Sequence, residues 1–151
     1  MSDNILKPDS NLAALLLRLF LALVLFPHGA QKLLGWFGGF GFEGSMQYFT
    51  GQVGLPWVVG FLVIMIEFFG PLALVLGVAV RFSAAAIAVV MAGIIATTFH
   101  DHFFMDWFGI QHTEGMEFFL LAIGIALGLI FTGGGVYSIG RFLRHEPSTS
   151  R

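Results

Sequence analysis

Residues 12–34 read LAALLLRLFLALVLFPHGAQKLL, an apolar run in which Arg18, His28 and Lys32 are the ionisable residues. A helix rises about 1.5 Å per residue, so this run is long enough to cross a hydrocarbon core of about 30 Å. The run is longer than the apolar part of a signal peptide, and no cleavage pattern of small residues follows it. We therefore predict a first membrane-spanning helix that stays in the mature protein.

Three further apolar runs follow, and the composition of the whole chain agrees with a membrane protein. Hydrophobic residues make up 57% of the chain and charged residues only 11%, a balance far from that of soluble domains. We predict an all-α fold with one domain over residues 1–151, a four-helix transmembrane bundle surrounded by the lipid bilayer. Its spans are expected at about 12–34, 57–80, 82–100 and 115–133.

The segment between the first two spans, residues 35–56, is rich in Gly and in aromatic residues. Trp and Tyr rings favour the headgroup level of a membrane, and the segment carries both types. We predict that it lies in the interface, with a short surface helix at about 44–52. A flexible loop that happens to be aromatic is the alternative.

Basic residues lie mostly on one side of the predicted bundle. Of the seven Lys and Arg residues, all but Lys32 flank the start of the first span, the turn at Arg81 or the end of the fourth span. The loops on the other side carry several acidic residues. By the positive-inside rule both termini are cytoplasmic. We predict a multi-pass protein of the bacterial cytoplasmic (inner) membrane.

Charge and cysteine content exclude several classes of function. The formal net charge of -2 at pH 7 gives no basic field, so we expect no nucleic acid partner. The chain has no Cys, which removes disulfides, thiolate metal sites and iron–sulfur clusters. Small residues recur at helical spacing, as at Ala84 and Ala88 on the third span and at Gly124 and Gly128 on the fourth. They predict close packing within one bundle, and a homo-oligomer contact is the alternative.

Ionisable residues fall within the spans or at their rims, and these are Arg18, His28, Lys32, Glu67, His100 and Glu117. A charged group near the bilayer centre costs about 2.5–3.5 kcal/mol on insertion scales, so such groups usually face the bundle interior, pair with one another and mark functional sites. His28, Gln31 and Lys32 stand at positions i, i+3 and i+4, on one helical face. We predict a shared polar cavity in the outer half of the bundle.

The expected pairings follow from depth alone. We predict that Glu67 pairs with His28 or Arg18, and that Lys32 pairs with Glu117. The alternative is that these charges neutralise one another and fix the helix register without binding a ligand.

Two narrower alternatives involve histidine. Imidazole and carboxylate groups suit zinc or copper, and such a site would draw on His100, His102, His112, Glu114 and Glu117. Their spacing is loose, so no metal site is predicted. Axial ligation of a b-type haem by His28 and His100 is the second alternative, although the two lie at unequal depths.

Short motifs also follow one another in a recognisable order. HGAQKL at 28–33 closes the first span, GLP at 54–56 precedes the second, and GGGVYS at 133–138 follows the fourth, with Glu67, Arg81 and His100 between them. In this order the chain resembles the DoxX family of membrane proteins, over about residues 12–142. It departs from the family at Gly134 and Gly140, where Pro and Asp are common. The resemblance implies a four-helix inner-membrane protein. Some relatives are subunits of thiosulfate:quinone oxidoreductase or of other membrane redox complexes, and others are chaperones or cargo receptors.

The leading hypothesis is a subunit of a quinone-linked membrane oxidoreductase that binds a quinone-like molecule but has no cofactor motif of its own. The catalytic residues of this hypothesis are His28, Glu67 and Glu117. Glu67 and Glu117 would take up or release protons, while His28, together with Lys32, would donate a hydrogen bond to a quinone oxygen. Substrate binding is assigned to Arg18, Gln31, Lys32 and His100. Electrons would come from a soluble or membrane redox partner, or from a flavin that the partner supplies.

Two alternatives belong to other functional classes. The first is a non-catalytic assembly factor or scaffold whose buried charges hold the fold. The second is a small-molecule transporter, against which we note that only Arg18 extends the polar path into the inner half of the predicted bundle.

Overall fold

A computed structural model describes residues 10–106 and 115–142. These residues form α-helices and no strand, which confirms the predicted all-α class. The helices are α1 (Ser10–Leu34), α2 (Gly41–Gln47), α3 (Trp57–Leu76), α4 (Val80–Thr97), α5 (Glu117–Thr132) and α6 (Ile139–Phe142). A 3-10 turn at Trp36–Gly38 and a π-helical turn at Tyr48–Gln52 lie between α1 and α3.

The four longer helices, α1, α3, α4 and α5, pack side by side and are called the bundle below. α1 packs against α3, α3 against α4, α4 against α5, and α5 against α1. Small residues lie inside the bundle, where Ala22, Ala84 and Ala126 are at most 1% exposed. Such residues let helix backbones approach closely, which gives the van der Waals contact that holds helices together in lipid. Gly124, from the predicted small-residue stripe, is instead exposed.

The outward faces of the bundle are apolar. Leu23 is 68% exposed, Val89 72% and Phe131 79%. Three helical segments are long and apolar enough to cross a membrane, namely Asn11–Leu34, Trp57–Leu76 and Val80–Thr97. Apolar surface of this extent is stable against lipid and not against water, so the helices contact the bilayer. The chain is a membrane protein. α5 is also apolar but has only 16 residues.

The bundle has two ends of different chemistry. One end holds the last turns of α1 and α4 and the first turns of α3 and α5. We call it the ion-pair end, after the Lys32–Glu67 ion pair on that side. The arginine end holds the start of α1, the turn between α3 and α4, and residues 133–138 after α5. At this end α3 stops because Gly77 adopts the left-handed conformation, with φ 72°. Arg81 lies in the first turn of α4, which begins at Val80, and not in the tight turn that was predicted there.

Arg18 is 1% exposed and lies inside the arginine end, where it joins α1 to α3 and to the loop after α5. Its guanidinium donates to the carbonyls of Leu74 at 2.7 Å and Val75 at 2.9 Å, in the last turn of α3. It also donates to the carbonyls of Gly134 at 2.7 Å and Tyr137 at 3.0 Å, in the loop after α5. The last carbonyls of a helix lack helical donors, and a positive charge is favourable there. Arg18 therefore ties three parts of the chain together through backbone acceptors.

The segment between α1 and α3 packs onto the ion-pair end. Met46 and Phe49 are buried against Ile64 in a second, smaller core. The helical part begins at Gly41 and continues through the π-helical turn to Gln52, three residues earlier than the predicted start at 44. Phe40 is 87% exposed, as expected of a ring at the membrane surface.

Candidate functional site

The site lies at the contact between α1 and α3, where the two helix backbones come unusually close. Pro71 has no N–H, so the carbonyl of Glu67 lacks its helical donor. That carbonyl lies directly against Gly29 of α1, where a Cβ atom would overlap it. Only glycine fits at this position without moving a helix. The close approach brings the neighbouring side chains of α1 and α3 within bonding reach.

Lys32 and Glu67 form an ion pair across this contact. The Glu67 side chain is 4% exposed and the Lys32 side chain 27%. Besides the Lys32 ammonium, Oε2 of Glu67 has no hydrogen-bond donor in the described part of the chain. A carboxylate can accept several hydrogen bonds, so this group retains acceptor capacity in a place shielded from water.

A cavity of about 450 Å³ opens beside the ion pair, between all four helices of the bundle. Its walls are mainly apolar, and His28, Lys32 and Glu67 supply an imidazole, an ammonium and a carboxylate group. The other lining residues are Leu25, Tyr48, Phe49, Met91, Ile94, Thr98, Phe99, Met105, Gly115, Phe118 and Phe119. We call this space the ion-pair cavity. Its volume and its few convergent polar groups are typical of small-molecule sites, which span about 300–1,000 Å³.

His28 stands one helical turn before Lys32 and lines the same cavity. Its ring centroid lies 6.2 Å from that of Phe118 on α5, at an interplanar angle of 51°. A neutral imidazole offers one N–H donor and one nitrogen acceptor, so it can bind an oxygen in either protonation state. His28 and Lys32 thus bring two hydrogen-bond donors to the wall of one largely apolar space.

Glu117 begins α5 but does not line the ion-pair cavity. Its Oε1 accepts a hydrogen bond from the backbone N–H of Met105 at 3.0 Å. The neighbouring backbone is joined to the same loop, because the N–H of Met116 donates to the carbonyl of His102 at 3.0 Å. Glu117 therefore holds in place the loop that carries Met105, a residue of the cavity wall.

Gln31 and His100 also lie outside the ion-pair cavity. The Gln31 amide donates to the carbonyl of Phe37 at 3.3 Å and lines a separate cleft of about 280 Å³. Lys32 lines this cleft as well, together with Ser45. The side chain of His100 is 59% exposed and lies 3.3 Å from the carboxylate of Asp101.

The structure corrects the predicted pairings. Glu67 pairs with Lys32, and not with His28 or Arg18. Lys32 does not pair with Glu117, whose carboxylate is bonded to the Met105 N–H. Arg18 lies ten residues before His28 on α1, about 15 Å away by the helical rise, and its donors are bound to carbonyls at the arginine end. Of the seven predicted site residues, His28, Lys32 and Glu67 come together, whereas Arg18, Gln31, His100 and Glu117 do not.

The histidine alternatives find no shared geometry. Residues 10–106 and 115–142 hold no group of three or more His, Cys, Asp or Glu side chains that could bind a metal ion. His112 and Glu114, from the predicted alternative, lie outside the described residues. His28 lines the ion-pair cavity and His100 does not, so the two imidazoles do not face one site for haem ligation.

Sequence reasoning missed the residues that come from irregular segments. Phe49 lies in the π-helical turn, is 8% exposed and lines both the ion-pair cavity and the Gln31 cleft. Met105 and Gly115 line the cavity from the two ends of the connection between α4 and α5. A Cβ at Gly115 would overlap the Phe104 carbonyl, which shows how tightly these ends pack. The one sequence signal is glycine at position 115, two residues before Glu117.

A larger cavity, of about 530 Å³, lies at the arginine end beside Arg81 and Gly133. It contains none of the predicted site residues. The chemistry that the sequence indicates is thus at the other end of the bundle.

Comparison with protein families gives one match. The sequence model of the DoxX family matches residues 13–101, which is more than half of the chain. The chain belongs to the DoxX family. The DoxX match includes α1, α3 and α4, and therefore the ion pair and His28, and it ends before α5. A search of curated proteins and a search of solved structures find no significant match.

Proposed function

We propose that this DoxX-family protein binds a quinone-like molecule in the ion-pair cavity and serves as a subunit of a quinone-linked membrane oxidoreductase. The observation that carries the proposal is the buried Lys32–Glu67 pair, with His28 beside it, at the wall of an otherwise apolar cavity. A quinone ring needs apolar walls, while its oxygens need hydrogen-bond donors and a source of protons.

The roles follow from the chemistry of each group. Reduction of a quinone to its hydroquinone adds two electrons to the ring system and one proton to each oxygen. His28 and Lys32 donate hydrogen bonds to one quinone oxygen. The Glu67 carboxylate, ionised in its pair with Lys32, accepts the proton that this oxygen loses on oxidation, and on reduction it first takes up a proton from water and then passes it to this oxygen. The proton of the other quinone oxygen is exchanged with water. The electrons come from a redox centre of a partner protein, such as a flavin, because the chain carries no such motif. Glu117 acts through Met105, as a positioning residue for the cavity wall.

Protons reach this site through the Gln31 cleft in our proposal. Lys32 lines both the ion-pair cavity and that cleft, and Tyr48 and Phe49 stand between the two spaces. The cleft has the polar side chains of Gln31 and Ser45 and lies at the end of α1, where aqueous contact is expected. The ammonium group is therefore the junction between ligand and water.

The proposed membrane arrangement keeps four spans. α5 crosses with the help of the residues that flank it, since 16 residues alone rise about 24 Å. The arginine end, with Arg81, faces the cytoplasm by the positive-inside rule, and the ion-pair end faces outward. Both termini are then cytoplasmic, in a bacterial inner membrane.

One observation favours a second candidate function, that of an assembly factor or scaffold. Arg18 is a buried charge whose donors are taken up by backbone carbonyls, so this fold already uses one ionisable residue for structure alone. In a scaffold the Lys32–Glu67 pair would likewise stabilise the fold and bind no ligand. A transporter is disfavoured because the packed core around Leu74, Ile87 and Leu129, each at most 1% exposed, separates the cavity from the arginine end.

The test measures quinone binding to the purified protein in lipid nanodiscs. His28→Phe keeps a ring of similar shape but removes both nitrogens, and His102→Phe is the matched control on an exposed loop residue outside the cavity. We expect His28→Phe to weaken binding about tenfold, the effect of one lost hydrogen bond of about 1.4 kcal/mol, and the control to bind like the wild type. Equal affinity for all three proteins would refute the proposed site.

A further inference from the structure

A second apolar space adjoins the ion-pair cavity. It is a groove of about 280 Å³ between α3 and α4, which we call the α3–α4 groove. Val59, Leu62 and Val89 line it and are 40%, 49% and 72% exposed, so its open side faces the surroundings of the bundle. Both helices are long and apolar enough to cross a membrane, so these surroundings are lipid.

The groove and the cavity share a wall. Phe49, Ile94 and Thr98 line both spaces. Phe49 comes from the π-helical turn, a distortion that often occurs at functional sites, and the other two come from the last turn of α4 and the residue after it. Three side chains thus stand between the lipid side of the bundle and the buried ion pair.

We propose that the α3–α4 groove is a binding subsite for the hydrocarbon tail of the ligand whose head lies in the ion-pair cavity. The ligand class is a lipid-soluble amphiphile with a small polar ring and a long linear tail, which enters from the bilayer between α3 and α4, past Phe49. This inference rests on the proposed function. The observation behind it is the wall that the groove and the cavity share, which lets one molecule occupy both spaces. A groove for an ordinary lipid chain would not need to adjoin a cavity with buried charges.

The chain supplies a matched pair of glycines for the test. Gly93 lines the groove on α4, and a Cβ added there would meet no heavy atom within 4 Å. Gly124 on α5 has the same open space and lines none of the cavities described above. We therefore expect a large side chain at Gly93 to extend into the groove, and the same change at Gly124 to add surface outside the described cavities.

The experiment compares two ligands with one head group, a benzoquinone without a tail and the same benzoquinone with a long isoprenoid tail. Equilibrium binding is measured for the wild type, Gly93→Phe and Gly124→Phe in nanodiscs. We expect Gly93→Phe to weaken binding of the tailed quinone about tenfold, as for the loss of several packed contacts, and to leave the tailless quinone unaffected. Gly124→Phe should change neither affinity. Should Gly93→Phe fold poorly, Val89→Trp fills the same groove from a side chain that is 72% exposed.

The outcomes separate the two proposals. If the wild type binds both quinones and Gly93→Phe binds the tailed form as well as the wild type does, the tail subsite is wrong and the proposed function stands. If Gly93→Phe loses the same affinity for both quinones, the substitution acts on the head group in the cavity, and the tail subsite is also wrong. If neither quinone binds the wild type, the proposed function and the inference that rests on it both fail.

Discussion

The Lys32–Glu67 pair offers the sharpest distinction between a binding site and a scaffold. The variants are Lys32→Met, Glu67→Gln and the double variant with both changes. Met keeps the length of the lysine side chain without its charge, and Gln keeps the shape of the carboxylate. Each single variant leaves one partner behind, whereas the double variant removes both charges together.

The burial of the two side chains sets the expected magnitudes. Lys32→Met leaves the Glu67 carboxylate, 4% exposed, buried and unpaired. Removing one partner of a buried pair typically costs about 3–5 kcal/mol, so we expect a loss near this range in the free energy of unfolding. Glu67→Gln leaves an ammonium that is 27% exposed and can reach the Gln31 cleft, so its loss should be smaller, about 1–2 kcal/mol. The double variant should lie within about 1 kcal/mol of the wild type.

The assay is reversible unfolding in mixed micelles, followed by circular dichroism, together with quinone binding by the same proteins. A scaffold predicts that the double variant regains every property of the wild type. A binding site predicts that the double variant regains stability and does not bind quinone. If the double variant binds quinone like the wild type, the proposed role of the pair is refuted. If its stability loss equals the sum of the single losses, the two side chains are not coupled.

Substitutions at three further positions test other parts of the structure. Gly29→Ala should lower the free energy of unfolding by about 3 kcal/mol, because the new Cβ overlaps the Glu67 carbonyl, and denaturant titration that shows no loss would contradict the close contact. Arg18→Met should lower the free energy of unfolding by about 3 kcal/mol or more, because four backbone carbonyls lose their donor, while quinone affinity per folded molecule stays unchanged. A loss of affinity without a loss of stability would mean that Arg18 takes part in quinone binding. Glu117→Ala should weaken quinone binding and Glu117→Gln should largely restore it, since an amide oxygen still accepts from the Met105 N–H; failure of Glu117→Gln would mean that the acid itself takes part.

Much of the fold could be predicted because apolar length is a direct signal of membrane helices. Helices α1, α3, α4 and α5 coincide with the four apolar runs. Their observed ends differ from the predicted ends by a few residues where the local backbone conformation determines them. Gly77 ends α3 earlier than the hydropathy pattern does, because hydropathy alone does not register the left-handed turn that glycine allows there. The predicted surface helix at 44–52 includes Tyr48–Gln52, but the π-helical form of this turn leaves no periodic pattern from which it could be predicted.

The candidate site was predicted where helix geometry alone decides it. His28 and Lys32 are one turn apart and do share a wall, whereas Gln31 lies to the other side of His28 on the helix and its amide is bonded to the Phe37 carbonyl. Glu117 could not be placed because its partner, the Met105 N–H, belongs to an irregular loop. Such contacts depend on the path of the chain and leave no mark in spacing.

Arg18 was misplaced for a different reason. A buried charge in a membrane helix can pair with backbone carbonyls as well as with an acid, and the Leu74 and Val75 carbonyls at the end of α3 lie at the depth of Arg18. Gly77 marks that helix end in the sequence, so this partner could have been found from depth and from the capping signal.

The most direct test is a crystal structure of the protein grown in lipid with the tailed benzoquinone bound. We expect density for the ring between His28 and the Lys32–Glu67 pair, with one quinone oxygen within hydrogen-bond distance of the imidazole or the ammonium. Ring density elsewhere on the bundle, with the space beside this pair closed by its own side chains, would contradict the assignment of a quinone site to this protein.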